Sequence, residues 1–142
     1  MIEGECNCTA VAYQADTDIS DVFICHCSIC RKSTGSGGIA VSIVRQDKFT
    51  WLRGQDKITY WSKPGNDWHA YFCSVCGSAL PGENDEANMY IPVGTITTGH
   101  QNLKVAHHLF VDSKASWETI CDSGMQHPEG FGSGQASKAK ND

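Results

Sequence analysis

Phe72-Cys73-Ser74-Val75-Cys76-Gly77 has the form of a zinc knuckle, a tight turn that aims two sulfurs at one point and is followed by a glycine able to take a positive φ. Two thiolates do not close a tetrahedral metal, so the unit needs a second pair of ligands. Cys6-Asn7-Cys8, near the other end of the core, is the natural supplier, because alternate residues of a strand face the same side. A zinc shared by Cys6, Cys8, Cys73 and Cys76 would hold the first strand against a distant hairpin. The competing reading of these four is as reduced, buried core cysteines.

A third group, Cys25-His26-Cys27-Ser28-Ile29-Cys30-Arg31-Lys32, lies where the apolar run Val22-Phe23-Ile24 gives way to a turn. Three thiolates within six residues can all reach one ion and leave its fourth position open. Three sulfurs around a divalent ion carry a net charge of about −1, which suits a soft fourth ligand better than the generation of hydroxide. The expected fourth ligand is an incoming thiol, deprotonated on binding, with Arg31 and Lys32 offsetting the negative charge and attracting a substrate carboxylate. The alternative is that His26 or another histidine closes the shell and makes this a second structural site. Against that, His26 sits between two ligands and on an extended segment points away from them. For a general acid or base, proximity alone nominates His26, Ser33 and Thr34. Cys121, the eighth cysteine, reads as an ordinary thiol, and no spacing assigns a role to His69, His100, His107, His108 or His127.

At 142 residues the chain fits one domain. The expected division is a zinc-binding domain over 1–125 and a flexible tail over 126–142, because Phe131 is the tail's only large apolar residue and little can be buried to offset the entropy of ordering. Met1 to Cys8 has no apolar stretch of the signal-peptide kind, and no run approaches the roughly 20 apolar residues of a membrane span. A cytoplasmic setting with reduced thiols is therefore expected. Cysteines one residue apart are also awkward disulfide partners. The formal net charge of −5 argues against nucleic acid as a partner, since such surfaces carry a basic excess; thiolates formed on metal loading make the chain more acidic still.

Short apolar runs rich in β-branched and aromatic residues predict a mainly β chain: Val11-Ala12-Tyr13, Val22 to Ile24, Ile39 to Val44, Phe49 to Leu52, Ile58 to Trp61, Met89 to Val93 and His108 to Val111. Turns fall at 53–56, 63–67 and 81–85, where Gly, Pro, Asn and Asp gather. Helix is expected only after Cys27 and around Ala115 to Ile120.

With both cysteine sets in place, the chain resembles the family of glutathione-dependent formaldehyde-activating enzymes, whose fold is Mss4-like. The resemblance rests on ordered blocks: Gly4-x-Cys6-x-Cys8 with Val11-x-Tyr13; Cys25-His26-Cys27-Ser28-x-Cys30-Arg31-Lys32-x-Thr34-Gly35; Phe72-Cys73-x-x-Cys76-Gly77-Ser78-x-Leu80; and Val93-Gly94 with His108-x-Phe110-Val111-x-Ser113-Lys114-Ala115-x-Trp117. It implies short antiparallel strands with little helix and two zinc ions, a structural one on Cys6, Cys8, Cys73 and Cys76 and a catalytic one on Cys25, Cys27 and Cys30. It also implies a carbon–sulfur lyase that adds glutathione, or a similar small thiol, to formaldehyde. Two blocks depart from the pattern. The arginine common before Phe-Cys is replaced within Trp68-His69-Ala70-Tyr71, so the basic contact to an anionic substrate is either lost or moved to His69, and the segment after the tryptophan reads Asp122-Ser123-Gly124-Met125-Gln126. The rival reading from another class is a non-catalytic, zinc-stabilised binding or chaperone module.

Overall fold

A computed structural model describes residues 1–134. In chain order these form β1 (Ile2–Glu5), β2 (Ala12–Ala15), β3 (Asp21–Cys25), helix α1 (Ser28–Thr34), β4 (Ile39–Arg45), β5 (Phe49–Arg53), β6 (Ile58–Ser62), β7 (His69–Cys73), β8 (Gly82–Glu83), β9 (Asn88–Pro92), β10 (Ile96–Thr98), β11 (Lys104–Leu109) and β12 (Met125–Gln126). The strands expected from β-branched and aromatic runs are present, except that the run His108 to Val111 supplies only the end of β11, with Val111–Ser113 forming a 3-10 turn; the helix after Cys27 is α1. The helix expected around Ala115 to Ile120 is not formed; that stretch is irregular apart from a turn at Ser116 and Trp117. No helix among the described residues is long and apolar enough to cross a membrane.

The chain gathers into two compact units, Met1–Ser20 with Val41–Leu103 and Asp21–Ala40 with Lys104–Asp142. In the first, strands pair antiparallel: β1 lies between β10 and β2, β2 continues to β5, β6 pairs with β7, and β9 pairs with β4 and β8. Its main core joins Ile2, Tyr13, Ala15, Val44, Met89, Ile91 and Ile96. Tyr13 is fully buried, its ring stacked on Phe49 at 5.6 Å and edge-on to Trp51 at 6.2 Å. Because the Thr95 hydroxyl donates to the Pro92 carbonyl, the Tyr13 hydroxyl is the donor in its 2.7 Å bond to Thr95. Tyr13→Ala removes this packing and is expected to cost about 3–5 kcal/mol in a denaturant melt.

The second unit departs from the antiparallel expectation. β11 pairs parallel with β3, setting Leu109 against Cys25, and parallel with β12 on its other side. Parallel pairing needs a long connection, and here the chain between Cys25 and Lys104 passes through the other unit before returning.

The proposed domain boundary at 125 falls inside β12. The tail expected from 126 begins with residues that pack: His127 is 1% exposed, its Nε2 bonds His107 Nδ1 at 3.0 Å, and its Nδ1 accepts from the Gly132 backbone. Phe131 stands edge-on to His107 and tilted against His127. Composition missed this because the residue that is buried here is His127, while Phe131 stays exposed, and histidine does not register as core in an apolar count. Residues 135–142 of the expected tail lie outside the described residues.

Candidate metal centres

The four-cysteine set lies in the first unit and is built from two turns. β7 ends at Cys73 and the chain reverses so that the Gly77 amide donates to the Cys73 carbonyl at 2.8 Å and the Cys73 amide to the Ser78 carbonyl at 3.0 Å. Gly77 takes φ 77°, the left-handed conformation that a side chain would resist. The opposing pair is not on a strand, as alternation had suggested. β1 stops at Glu5, and Cys6 opens a turn in which the Thr9 amide donates to the Cys6 carbonyl at 2.9 Å. Ser78 joins the two turns: its hydroxyl accepts from the Asn7 amide at 2.9 Å and sits 3.2 Å from Cys76 Sγ.

Sulfur spacing tests whether metal fits. Zn–S bonds of about 2.3 Å in a tetrahedron separate the sulfurs by about 3.8 Å. Cys6 and Cys8 Sγ are 3.6 Å apart and Cys8 and Cys73 Sγ 3.7 Å, far beyond a disulfide bond of about 2.05 Å, and all four lie within 4.8 Å of one another. The surroundings favour thiolate at Cys73 and Cys76, whereas Cys8, despite a backbone hydrogen bond from Ala10, is pushed up to about 12 by burial and by the neighbouring sulfurs. The Cys6 sulfur accepts from the Val11 amide at 3.3 Å, a hydrogen bond from Ser78 draws the Cys76 thiol down to about 5, and the Cys76 backbone amide lowers that of Cys73. The donor set fits zinc.

The three-cysteine set lies wholly in the second unit. Cys25 closes β3. Cys27 is the N-cap of α1, its sulfur accepting from the Cys30 amide at 3.3 Å while its carbonyl accepts from Arg31; the helix then returns Cys30, buried, beside the other two. The three sulfurs lie within 4.8 Å of one another, and no His, Asp or Glu atom among the described residues joins them. The Cys25 thiol is lowered to about 6, chiefly by a hydrogen bond from Cys30; Cys30, the buried donor, is pushed up. This set also fits a soft metal ion, with three ligands where the other has four.

His26, between two of these cysteines, is fully buried and turns both ring nitrogens away from the sulfurs. Its Nε2 bonds His108 Nδ1 at 2.8 Å, and its Nδ1 faces Glu118 Oε2 at 3.4 Å. His108, itself 3% exposed, reaches both oxygens of Asp122 from Nε2, at 2.9 and 3.0 Å. Sequence reasoning gave His108, Glu118 and Asp122 no role, and no local signal could have: His26 and His108 are 82 residues apart. Of the other nominees, Thr34 spends its hydroxyl on the Cys30 and Gly38 carbonyls, and Ser33 is exposed on α1. Arg31 and Lys32 sit in the last turn of α1. His69 lies on β7 of the first unit beside Ser62 and Asp67, and Cys121 is exposed.

A protein of Halomonas elongata that carries the provisional name of a glutathione-dependent formaldehyde-activating enzyme is 34% identical over 88 residues, 56% of this chain and 54% of its own length. The chain thus spans about half of that relative. A crystal structure of a Rhodobacter sphaeroides protein superposes with a TM-score of 0.55 at 20% identity, covering 68% of this chain and 88% of the other; at that identity the likeness concerns the fold. The family model described as glutathione-dependent formaldehyde-activating enzyme matches residues 1–113, a span that contains both cysteine sets. The chain belongs to that family.

Proposed function

We propose that the chain is a zinc-dependent carbon–sulfur lyase, which adds a small glutathione-like thiol to a small carbonyl such as formaldehyde and releases it in the reverse direction. The observation that carries this reading is the inequality of the two sets: four gathered sulfurs in one unit, and in the other three gathered sulfurs with no fourth ligand among the described residues. The four-sulfur set holds the fold; the three-sulfur set takes substrate. Zinc held by Cys25, Cys27 and Cys30 supplies a positive centre that keeps a bound thiol deprotonated at neutral pH.

The rest is done by the chain itself. The α1 N-cap and the β3 terminus fix the three sulfurs on regular elements, so the open side has a defined direction. Arg31 and Lys32 offset the negative charge of the sulfur cluster and pair with substrate carboxylates. Thiols in this state call for a reducing compartment, in keeping with the expected cytoplasmic setting.

The test is metal analysis together with calorimetry against a panel of low-molecular-weight thiols that includes glutathione. The expected result is two zinc ions per wild-type chain, and for Cys30→Ser one zinc and no thiol binding. One tightly held zinc in wild type, with thiol binding unchanged in Cys30→Ser, would overturn the reading.

A further inference from the structure

Apart from its metal centre, the first unit holds a cavity of about 410 Å³. Strand alternation and cross-strand pairing build its walls. Phe49 and Trp51 lie on one face of β5, and their rings meet edge to face at 4.9 Å. Tyr60 on β6 is directly opposite Tyr71 on β7, and these rings stack at 5.7 Å. All four line the cavity. Trp51 and Tyr71 also pack against the cluster of Cys6, Val11, Cys73 and Leu80, so the four-sulfur end of the unit holds two of the rings in place.

Strand β8 supplies another wall. A Cβ on Gly82 would strike the Tyr71 ring and the Tyr90 hydroxyl, so glycine is what lets Tyr71 lie against this strand. The next residue, Glu83, is the only charged residue lining the cavity. Among the described residues its carboxylate makes no ion pair. Burial, joined by the negative charge of Glu83, pushes the Tyr71 hydroxyl up. The guanidinium groups of Arg45 and Arg53 are engaged elsewhere, by Asp47 and Glu5.

All of these groups favour positive charge. The face of an aromatic ring is the negative end of its quadrupole and attracts cations, tryptophan most strongly. The carboxylate adds a full negative charge, and no lysine or arginine lines the cavity to cancel it. An anion is disfavoured on both counts. A hard metal ion holds its water tightly and gains little from ring faces. An alkylated ammonium suits the site better, because its charge lies under methyl groups that shed water more readily than a bare ammonium does. The volume falls in the range of small-molecule sites, roughly 300–1,000 Å³.

We propose that this cavity binds a free small alkylammonium compound, its cationic head against the Trp51, Tyr60 and Tyr71 rings and its charge balanced by Glu83. Every lining residue belongs to the first unit, whereas the three-cysteine set lies wholly in the second. The proposal is therefore independent of the lyase reading.

Choline and its uncharged carbon analogue, in which a tert-butyl group replaces trimethylammonium, share a shape and differ in charge. Titrated into the zinc-loaded chain and followed by NMR, choline should bind saturably and shift the Trp51 indole and Gly82 amide resonances. It should bind about tenfold more tightly than the analogue. Tyr60 is 63% exposed and Glu83 is exposed, so Tyr60→Leu and Glu83→Gln should melt as wild type does. Each should weaken choline by about threefold to tenfold, while Tyr60→Phe, which keeps a ring, should bind like wild type. No saturable choline binding, equal binding of choline and its analogue, or unchanged choline affinity in either Tyr60→Leu or Glu83→Gln would overturn the proposal. A trimethyllysine peptide that bound more tightly than choline would overturn the choice of a free small molecule.

Discussion

Cys76→Ser is expected to leave the first unit unfolded. Structural zinc binding contributes on the order of 10 kcal/mol to the folding of small metal domains, and whole domains are stable by only about 5–15 kcal/mol. The other links between the Cys6–Thr9 turn and the Cys73–Ser78 turn are weaker, among them the Asn7 amide to Ser78, the Cys8 backbone to the Cys76 sulfur and the small cluster of Cys6, Val11, Cys73 and Leu80. Serine keeps the shape of the side chain but offers zinc a hydroxyl in place of a soft thiolate. Circular dichroism melts and zinc content check this outcome. A cooperative melt within about 2 kcal/mol of wild type, a loss of ordinary point-mutant size, would show that the four sulfurs do not hold the fold.

Cys27→Ser should have the opposite profile, a preserved fold and an abolished site. Cys27 has two jobs that the substitution separates. As the N-cap of α1 its sulfur accepts from the Cys30 amide, and serine is among the preferred residues at that position, so the helix start survives. As one of three sulfurs it cannot be replaced by a hydroxyl without losing a soft donor. The expected outcome is one zinc per chain instead of two, no measurable thiol binding, and a melt close to wild type. Run beside Cys76→Ser, the experiment assigns one site to folding and the other to chemistry; equal destabilisation by both would collapse that division.

Much of the fold was legible because its signals are local. Runs such as Phe49 to Leu52 and Ile58 to Trp61 fit a pleated surface whatever surrounds them, and they became β5 and β6. The strands that escaped notice were β1, β7, β8, which falls inside the turn expected at 81–85, β10 and β12. Each is short or carries polar residues, as in His69-Ala70-Tyr71-Phe72-Cys73, and is held by its neighbour more than by its own preference. The reverse error, a helix around Ala115 to Ile120, has the same origin. Good local spacing there gave way to the Glu118 side chain facing His26 and to Lys114 bonding the Glu118 carbonyl.

The sequence by itself determined the local cysteine groups, because Cys-x-Cys and Cys-x-x-Cys spacings keep neighbouring sulfurs together however the rest of the chain folds; the fold gathers them into a set of four and a set of three. Only the tertiary structure decided what surrounds the open set. His26 reaches His108 across 82 residues, Asp122 fixes the ring of His108, and Glu118 is delivered to His26 by the turns that follow β11. Long-range hydrogen bonds between histidines leave no periodicity and no spacing, since either partner could sit anywhere along the chain. They become visible when parallel pairing of β3 with β11 brings two distant imidazoles within 2.8 Å.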